Sequence, residues 1–426
     1  MKRSLTGFGA VVFLAAAMAA VVPAAAGKTS EPSGSITVWL WKGAKDGVDK
    51  AMPGFRKAYP GIKVSFLVDP KVRQKLLLGL SAAGAGLPDV SLLSTLRIPQ
   101  YALQDGFLDL RPLIDADLYP PYIIKDISYG AKLVGVPWDI GSSGTFYRRD
   151  IFAAAGLPSD PAGVAGLIDT WRHYLETGRT IKARTGKPLL CLSYSGELDL
   201  VQAMLQQHHM DLFTPDGKPG FNTRIGIRAL EYQKRLIEAG VTVTSTQWDP
   251  DWNRLLDSGG VATLPLSVWM IGNLKGWVSP VKGRGKWGVA PIPGWREGYA
   301  APTNWGGSSW VVPKYTRNKA AALAFVRYMS SRRAVLVMMR DTGIFPARSD
   351  AYDDPIFDEP DEYFGGQLVY RFFAEQAVKP IHEVPSPYML TAQRLLNEAM
   401  NAYLSGRISA ARALREAEQR LLAEMR

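Results

Sequence analysis

Residues 35–41, SITVWLW, alternate strictly: Ile36, Val38 and Leu40 share one face, Thr37, Trp39 and Trp41 the other. A period of two marks a strand with one buried face. A helical stretch follows to Tyr59, and Pro53 is expected to break or restart it. Residues 60–69, PGIKVSFLVD, read as a turn and a second strand. PKVRQKLLLGLSAA reads as a helix, with Pro70 in its first turn and Gly84 and Gly86 near its stop. PDVSLLS, 88–94, is a third strand. The order β-α-β-α-β predicts a parallel sheet with right-handed crossovers. In such sheets ligands bind beyond the carboxyl ends of the strands. Here those ends are Trp41 with Lys42, Asp69, and Ser94 with Thr95.

Beyond residue 138 the pattern changes. FYRRDIFAAAGLP predicts a short strand and a helix ended by Gly156 and Pro158. Helices are expected around 163–185, 198–209 and 224–239. VATLPLSVWM (261–270) reads as a strand delivering Trp269 at its end. KWGVAPIPGW (286–295) is a strand leading into a Pro-rich connection, and NWGGSSWVVP (304–313) another strand. NKAAALAFVRYMSS (318–331) is a helix with Asn318 as its cap. The tail, 391–426, is helical with a break at Gly406 and Ser409 as the next cap.

A chain of 426 residues exceeds one ordinary core and predicts two domains. Its 47% hydrophobic and 21% charged residues are those of a soluble globular protein. The single cysteine, Cys191, precludes an intrachain disulfide, so packed cores must supply stability. Lys2 and Arg3, an apolar run, and Ala24-Ala25-Ala26 form a signal peptide over 1–26, cleaved near Ala26-Gly27. No Cys follows the apolar run, so the mature chain is expected to be exported and not a lipoprotein. Net charge is +11, or +9 without Lys2 and Arg3. Lys and Arg are scattered, with RGKWG and SRRAV the densest spots, so the charge reads as a solvated surface and not as a nucleic-acid site.

Candidate chemistry centres on VPWDIGSSGTFYRRD. Trp138-Asp139 could be a sugar platform with a polar anchor, half of a catalytic carboxylate pair, or buried packing. Glycosidases need two spaced carboxylates. Glu197-Asp199 and Asp358-Glu359 are available, but adjacent acids at helix starts or in loops are more often capping or solvated. No GxSxG elbow, HExxH, CxxC or Walker A sequence occurs. His208-His209 with Asp211 could hold a metal, yet an exposed helix pair is the simpler reading. GRGKWG satisfies GxGxxG without following a strand and opening a helix, so it reads as a turn. No cofactor or metal is expected, and no catalysis.

Several stretches together resemble the extracellular solute-binding proteins of family 1: ITVWLW, FRKAYPGIKV, SAAGAGLPDV, KLVGVPWDIGSSGTFYRRDIFAAAGLP, GGVATLPLSVWM, WGVAPIPG, WGGSSWVVPKYTRNKAAALAFVRYMSS, TGIFPARSDAY and SGRISAARALREAE. The usual segment in the 170s is present only as DTWRHYLE. The resemblance implies an α/β fold of two maltose-binding-protein-like lobes joined by several chain crossings, near 136–139, 290–295 and 330. The first lobe would hold 27–137 plus 292–330, the second 138–291 plus 331–426. It implies a carbohydrate bound between lobes that close on it, and delivery to an inner-membrane ABC permease with separate ATPase subunits. It further implies a periplasmic location and a monomer. The alternatives are a secreted glycoside-active enzyme, or a receptor for an organic phosphate or polyamine.

A sugar offers hydroxyls at its edge and C–H patches on its faces, so a site needs flat aromatics and fixed donors and acceptors. Trp41, Trp138, Trp269, Trp305 and Trp310 are the candidate platforms. Asp139 can accept two hydroxyls and Arg348 can donate in a fork. By position, the family's ligand contacts fall on Trp41, Ser94, Asp139, Gly141, Trp269, the WGGSSW turn with Gly307 and Ser308, and Arg348. Trp39, Trp287 and Trp295 read as packing.

Overall fold

The computed structural model describes residues 31–192, 200–296 and 302–426. The expected leader over 1–26 and the Glu197-Asp199 pair lie outside them. Pro32–Arg426 form one compact unit.

Strands β1 (Gly34–Leu40), β2 (Ile62–Val68) and β3 (Val90–Ser94) are parallel, in spatial order β2-β1-β3. The alternation in β1 has the expected outcome: Ile36, Val38 and Leu40 are buried with Val48, Met52 and Phe55 of the helix Lys42–Ala58. Fully burying each such side chain is worth roughly 1.5–3 kcal/mol. That face also explains why Pro53 sits inside an unbroken helix, contrary to the sequence expectation. Proline removes one backbone donor, but the buried apolar stripe on either side holds the helix together.

A hairpin of β4 (Ser128–Tyr129) and β5 (Lys132–Leu133) precedes the longest strand, β6 (Val136–Arg148). Then come β7 (Leu190–Leu192) and β8 (Thr242–Thr244), a separate parallel pair, followed by β9 (Thr263–Ser267), β10 (Trp287–Ala290) and β11 (Asn304–Val311). The first half of β6 pairs with β11; its second half pairs with β9 and β10. β11 also pairs antiparallel with β3. A single strand therefore serves two regions of one seven-stranded sheet, ordered β10-β6-β11-β3-β1-β2 with β9 on β6.

Helices cover the sheet. Lys42–Ala58 and Lys319–Met329 pack over one face of β1 and β3 together with Trp138 and Trp310. Leu76, Leu80, Ile98 and Tyr101 pack against Leu93 and Val311 on the other. A separate core gathers Tyr147, Trp171, Trp305 and the helices Arg224–Glu238, Met389–Leu404 and Ala410–Glu424. The stretch 163–185 is two helices, Pro161–Leu167 and Trp171–Thr185, the second capped by the Thr170 hydroxyl accepting from His173 N–H. Ser409 caps the last helix as expected, accepting from Arg412 N–H. Asn318 does not cap its helix; its amide donates to Asp89 instead. The helix Arg332–Thr342 packs on Lys42–Ala58. The chain then returns to β6, where Ile140 N–H donates to Phe345 O at 3.3 Å and Ala347 N–H to Trp138 O at 3.1 Å.

Candidate functional site

The β6–β11 ladder carries two irregularities, and they decide where the candidate residues point. Ser309 pairs with Pro137 but Ser308 with Asp139, so β6 has one extra residue, Trp138. A bulge re-aims side chains locally. Trp138 turns into the core, only 2% exposed, its ring centroid 5.4 Å from that of Trp310. The expectation that Trp138 lines the cleft is thereby corrected. Asp139 returns to register beside Ser308, whose other neighbour is Ser94. Ser94, Ser308 and Asp139 thus form a polar row across β3, β11 and β6, extended by a bridge from Asp139 to Pro346.

Asp139 as a residue is partly exposed, but its Oδ1 is enclosed with no hydrogen-bond partner. Burial pushes its carboxyl up to about 7, while the hydroxyl and N–H of Ser308 draw it partly back. A carboxyl of this kind accepts hydroxyl hydrogen bonds when ionised and donates one when protonated.

The second irregularity is in β11. Asn304 pairs with Ser142 and Gly307 with Ile140, so β11 carries an extra residue at the WGG turn. Gly306 and Gly307 have φ of 94° and 91°, left-handed conformations that glycine alone adopts without strain. Trp305 swings into the second core, 2% exposed, which corrects its reading as a platform. Its carbonyl accepts from Trp269 Nε1–H at 3.0 Å and lies 2.7 Å from Ser267 Oγ. Gly141 faces the same carbonyl: a Cβ there would stand 2.1 Å from Trp305 O. Gly141 is therefore a place where two strands cross too closely for any side chain.

Trp269 is half-buried, and a Cβ on Gly306 would lie 3.3 Å from its Nε1. The indole is locked over the glycine turn at the end of β9. It is not alone. Its ring centroid lies 5.6 Å from that of Trp248, which lies 5.1 Å from Trp252 and 5.8 Å from Trp277. Sequence reading missed these three neighbours. Part of the signal was present as spacing: Trp269, Asn273 and Trp277 fall at i, i+4 and i+8.

Trp41 is half-buried just past the end of β1, with the Arg73 guanidinium 5.7 Å from its ring centroid. Arg348 does not offer a free fork. Its Nε and Nη2 each donate to Asp350 at 2.6 Å and its Nη1 to Ser330 O at 2.9 Å. Asp350 holds the guanidinium pKa above its ordinary value. Arg348 therefore braces the chain that returns to β6.

A polar network unseen in the sequence backs the crossing. Asn304 Oδ1 accepts from Gly141 N–H at 3.2 Å, and Asn304 Nδ2 donates to Glu383 Oε2 at 3.1 Å. Asp211 accepts from Gln202 Nε2, Leu212 N–H and Val384 N–H. Both oxygens of Asp126 and Glu383 Oε1 are buried without a partner. Burial, followed by the Asp211 charge, raises Asp126 well above the usual carboxylate range; burial, then Asp126 and Asp211, does the same to Glu383. These acids come from residues 126, 211 and 383, so no local motif announced them. Among the described residues, no His, Cys, Asp and Glu group has the geometry to hold a metal ion.

Known proteins place this geometry. The sequence profile described as "Bacterial extracellular solute-binding protein" matches residues 33–335. A lactose-binding protein of Rhizobium radiobacter is 28% identical over 362 residues, 82% of this chain and 84% of that one. An arabinooligosaccharide-binding protein of Halalkalibacterium halodurans is 24% identical, covering 84% of this chain and 80% of that one. The ABC-transporter-associated binding protein of B. animalis subsp. lactis, solved with β-1,6-galactobiose, superposes with a TM-score of 0.77 at 23% identity, over 92% of this chain and 97% of that one. The fold is the two-lobed α/β fold that the sequence motifs implied. With its profile matched across most of its length, the chain belongs to the bacterial extracellular solute-binding proteins.

Proposed function

We propose that the protein captures a carbohydrate between two lobes and delivers it to an inner-membrane ABC permease whose ATPase subunits are separate. Trp269 carries this reading: a half-exposed indole, locked by its N–H to Trp305 O, beside a glycine turn where strands from both sheet regions meet. A flat indole suits the C–H face of a sugar, and the Ser94–Ser308–Asp139 row supplies polar groups nearby. The names of the relatives point to lactose, arabino-oligosaccharides and maltodextrins as the ligands to try. Export with a cleaved leader and a periplasmic location accord with the family description.

The first lobe holds β1, β2, β3 and the first half of β6; the second holds its second half with β9 and β10. Because the helix Arg332–Thr342 packs on Lys42–Ala58, we assign it to the first lobe and place the third crossing at 343–347. Binding rather than catalysis is favoured by Asp139, whose neighbours in register are Ser308 and Pro346, not a second carboxylate.

The test is a thermal shift against those sugars with analysis of products. Sugar at one hundred times its Kd should stabilise the protein by about 2.7 kcal/mol without turnover. Release of a reducing end would make the protein a glycoside-active enzyme.

A further inference from the structure

The helix that begins after Trp269 presents a second feature. Met270–Asn273 is α-helical and Leu274–Val278 continues it as a π turn. π turns are rare and concentrate at functional sites. Asn273 links two tryptophans on one face: its Nδ2 donates to Trp269 O at 3.1 Å, and its Oδ1 accepts from Trp277 Nε1–H at 2.9 Å. Trp277 is held in one orientation by this bond while 54% exposed. Trp248 lies between the two, its ring tilted 38° from Trp269 and 30° from Trp277. Its φ of 74° is one that bulky L-residues avoid, so its surroundings impose it. Buried Trp252 supports it from below.

A large aromatic residue in the left-handed region, a fixed exposed indole and a π turn are all unfavourable for stability alone. Together they build a continuous run of adjacent rings, each tilted 30–38° from the next, from the glycine turn of the candidate site to solvent. Resting on the carbohydrate reading, we propose that Trp248 and Trp277 form an outer subsite that takes the distal units of an oligosaccharide whose inner unit stacks on Trp269. The C–H faces of successive sugar rings match a sequence-tolerant aromatic surface, as other flat ligands do. The protein is thereby selective for chain length: longer oligosaccharides bind more tightly than the mono- or disaccharide.

The experiment uses titration calorimetry of the full mature chain with three series, maltodextrins, arabino-oligosaccharides and β-galacto-oligosaccharides, each from one to five units. For whichever series binds, affinity should rise with length in the wild type. Trp277→Ala should lose at least five-fold for the longest member and less than two-fold for the shortest, and Trp277→Phe should recover most of the loss. Trp269→Ala should weaken every length. Equal effects of Trp277→Ala at all lengths, or none, overturn the outer subsite while leaving the carbohydrate reading intact. Normal binding by Trp277→Ala with failed uptake in cells would assign Trp277 to the permease contact and also overturn it. No binding of any member by the wild type sinks the carbohydrate reading itself and the subsite with it.

Discussion

Trp138 packs on Trp310 with ring centroids 5.4 Å apart and planes 57° apart, and the residue after it, Asp139, faces Ser308 on the next strand. One inserted residue in β6 separates the two roles. The indole joins the core beneath the crossing, and the carboxylate joins the polar row above it. Trp138→Ala should therefore act on stability. Removing a buried Trp costs about 3–5 kcal/mol. Denaturant unfolding should show that loss, and ligand affinity measured on the folded fraction should stay within about three-fold of wild type. A large loss of affinity without loss of stability would return Trp138 to the cleft.

Gly141 and Gly306 lie on either side of the Trp305 carbonyl and should respond differently. A Cβ at Gly141 stands 2.1 Å from Trp305 O and 2.3 Å from its carbon, both backbone atoms that cannot rotate away. Gly141→Ala should reach or exceed the roughly 1–3 kcal/mol typical of overpacking. Gly306→Ala meets Trp269 Nε1 only at 3.3 Å but must adopt φ near 94°. Its stability loss should be about 1–2 kcal/mol, accompanied by weaker ligand binding because Trp269 is displaced. Urea unfolding of both variants beside ligand titration of Gly306→Ala checks the contrast.

Much of this fold was legible in the chain, for a definite reason. The alternation in SITVWLW and the β-α-β-α-β order are local patterns, and burial of Ile36, Val38 and Leu40 enforces them. The strand ends at Trp41 and Ser94 follow from strand direction. What escaped was register. Whether Trp138 or Trp305 faces solvent depends on single-residue bulges, each of which changes where every neighbour points. Arg348 looked free because its partner Asp350, two residues on, has no signature as a partner in sequence. The buried acids Asp126 and Glu383 meet only because three distant segments converge. Trp277 was readable by helical spacing, had Trp269 been extended along its own helix face, whereas Trp248 comes from a turn before another helix and was not.

Asp139 should contribute stability at acid pH that is lost toward neutrality. Asp139 has its carboxyl raised from 3.8 to about 7 by burial. Between those values the native carboxyl keeps a proton that the unfolded chain has lost. Stability therefore falls as pH rises through that window and levels off above it. Three units correspond to at most about 4 kcal/mol. Asp126 and Glu383, also raised by burial, act with the same sign. Asp139→Asn should flatten the pH 4–7 slope and raise stability at pH 8. Glu383→Gln should do so in part while keeping an acceptor for Asn304. Urea midpoints across pH 4–8 decide it: the stability of Asp139→Asn relative to wild type should grow as pH rises from 4 to 7, and a slope unchanged in Asp139→Asn contradicts a buried protonated carboxyl at this strand crossing.

Trp269→Ala separates the ligand platform from the scaffold. The indole is half-exposed, so its loss removes a face that a sugar would cover and one hydrogen bond to Trp305 O. Affinity should fall more than ten-fold, about 1.4 kcal/mol. The melting temperature of the free protein should change little, since the β9 ladder and the Ser267 contact to the same carbonyl persist. Trp269→Phe keeps a ring but not the N–H, and should bind better than Trp269→Ala yet short of wild type, because an unfixed ring must be ordered on binding. Closure adds a second readout. Only contacts that differ between open and closed states shift that equilibrium, so small-angle scattering should show ligand-induced compaction in the wild type and a weakened response in Trp269→Ala at equal ligand. Full affinity and full compaction in Trp269→Ala would remove the residue from the site and leave the aromatic run without its inner end.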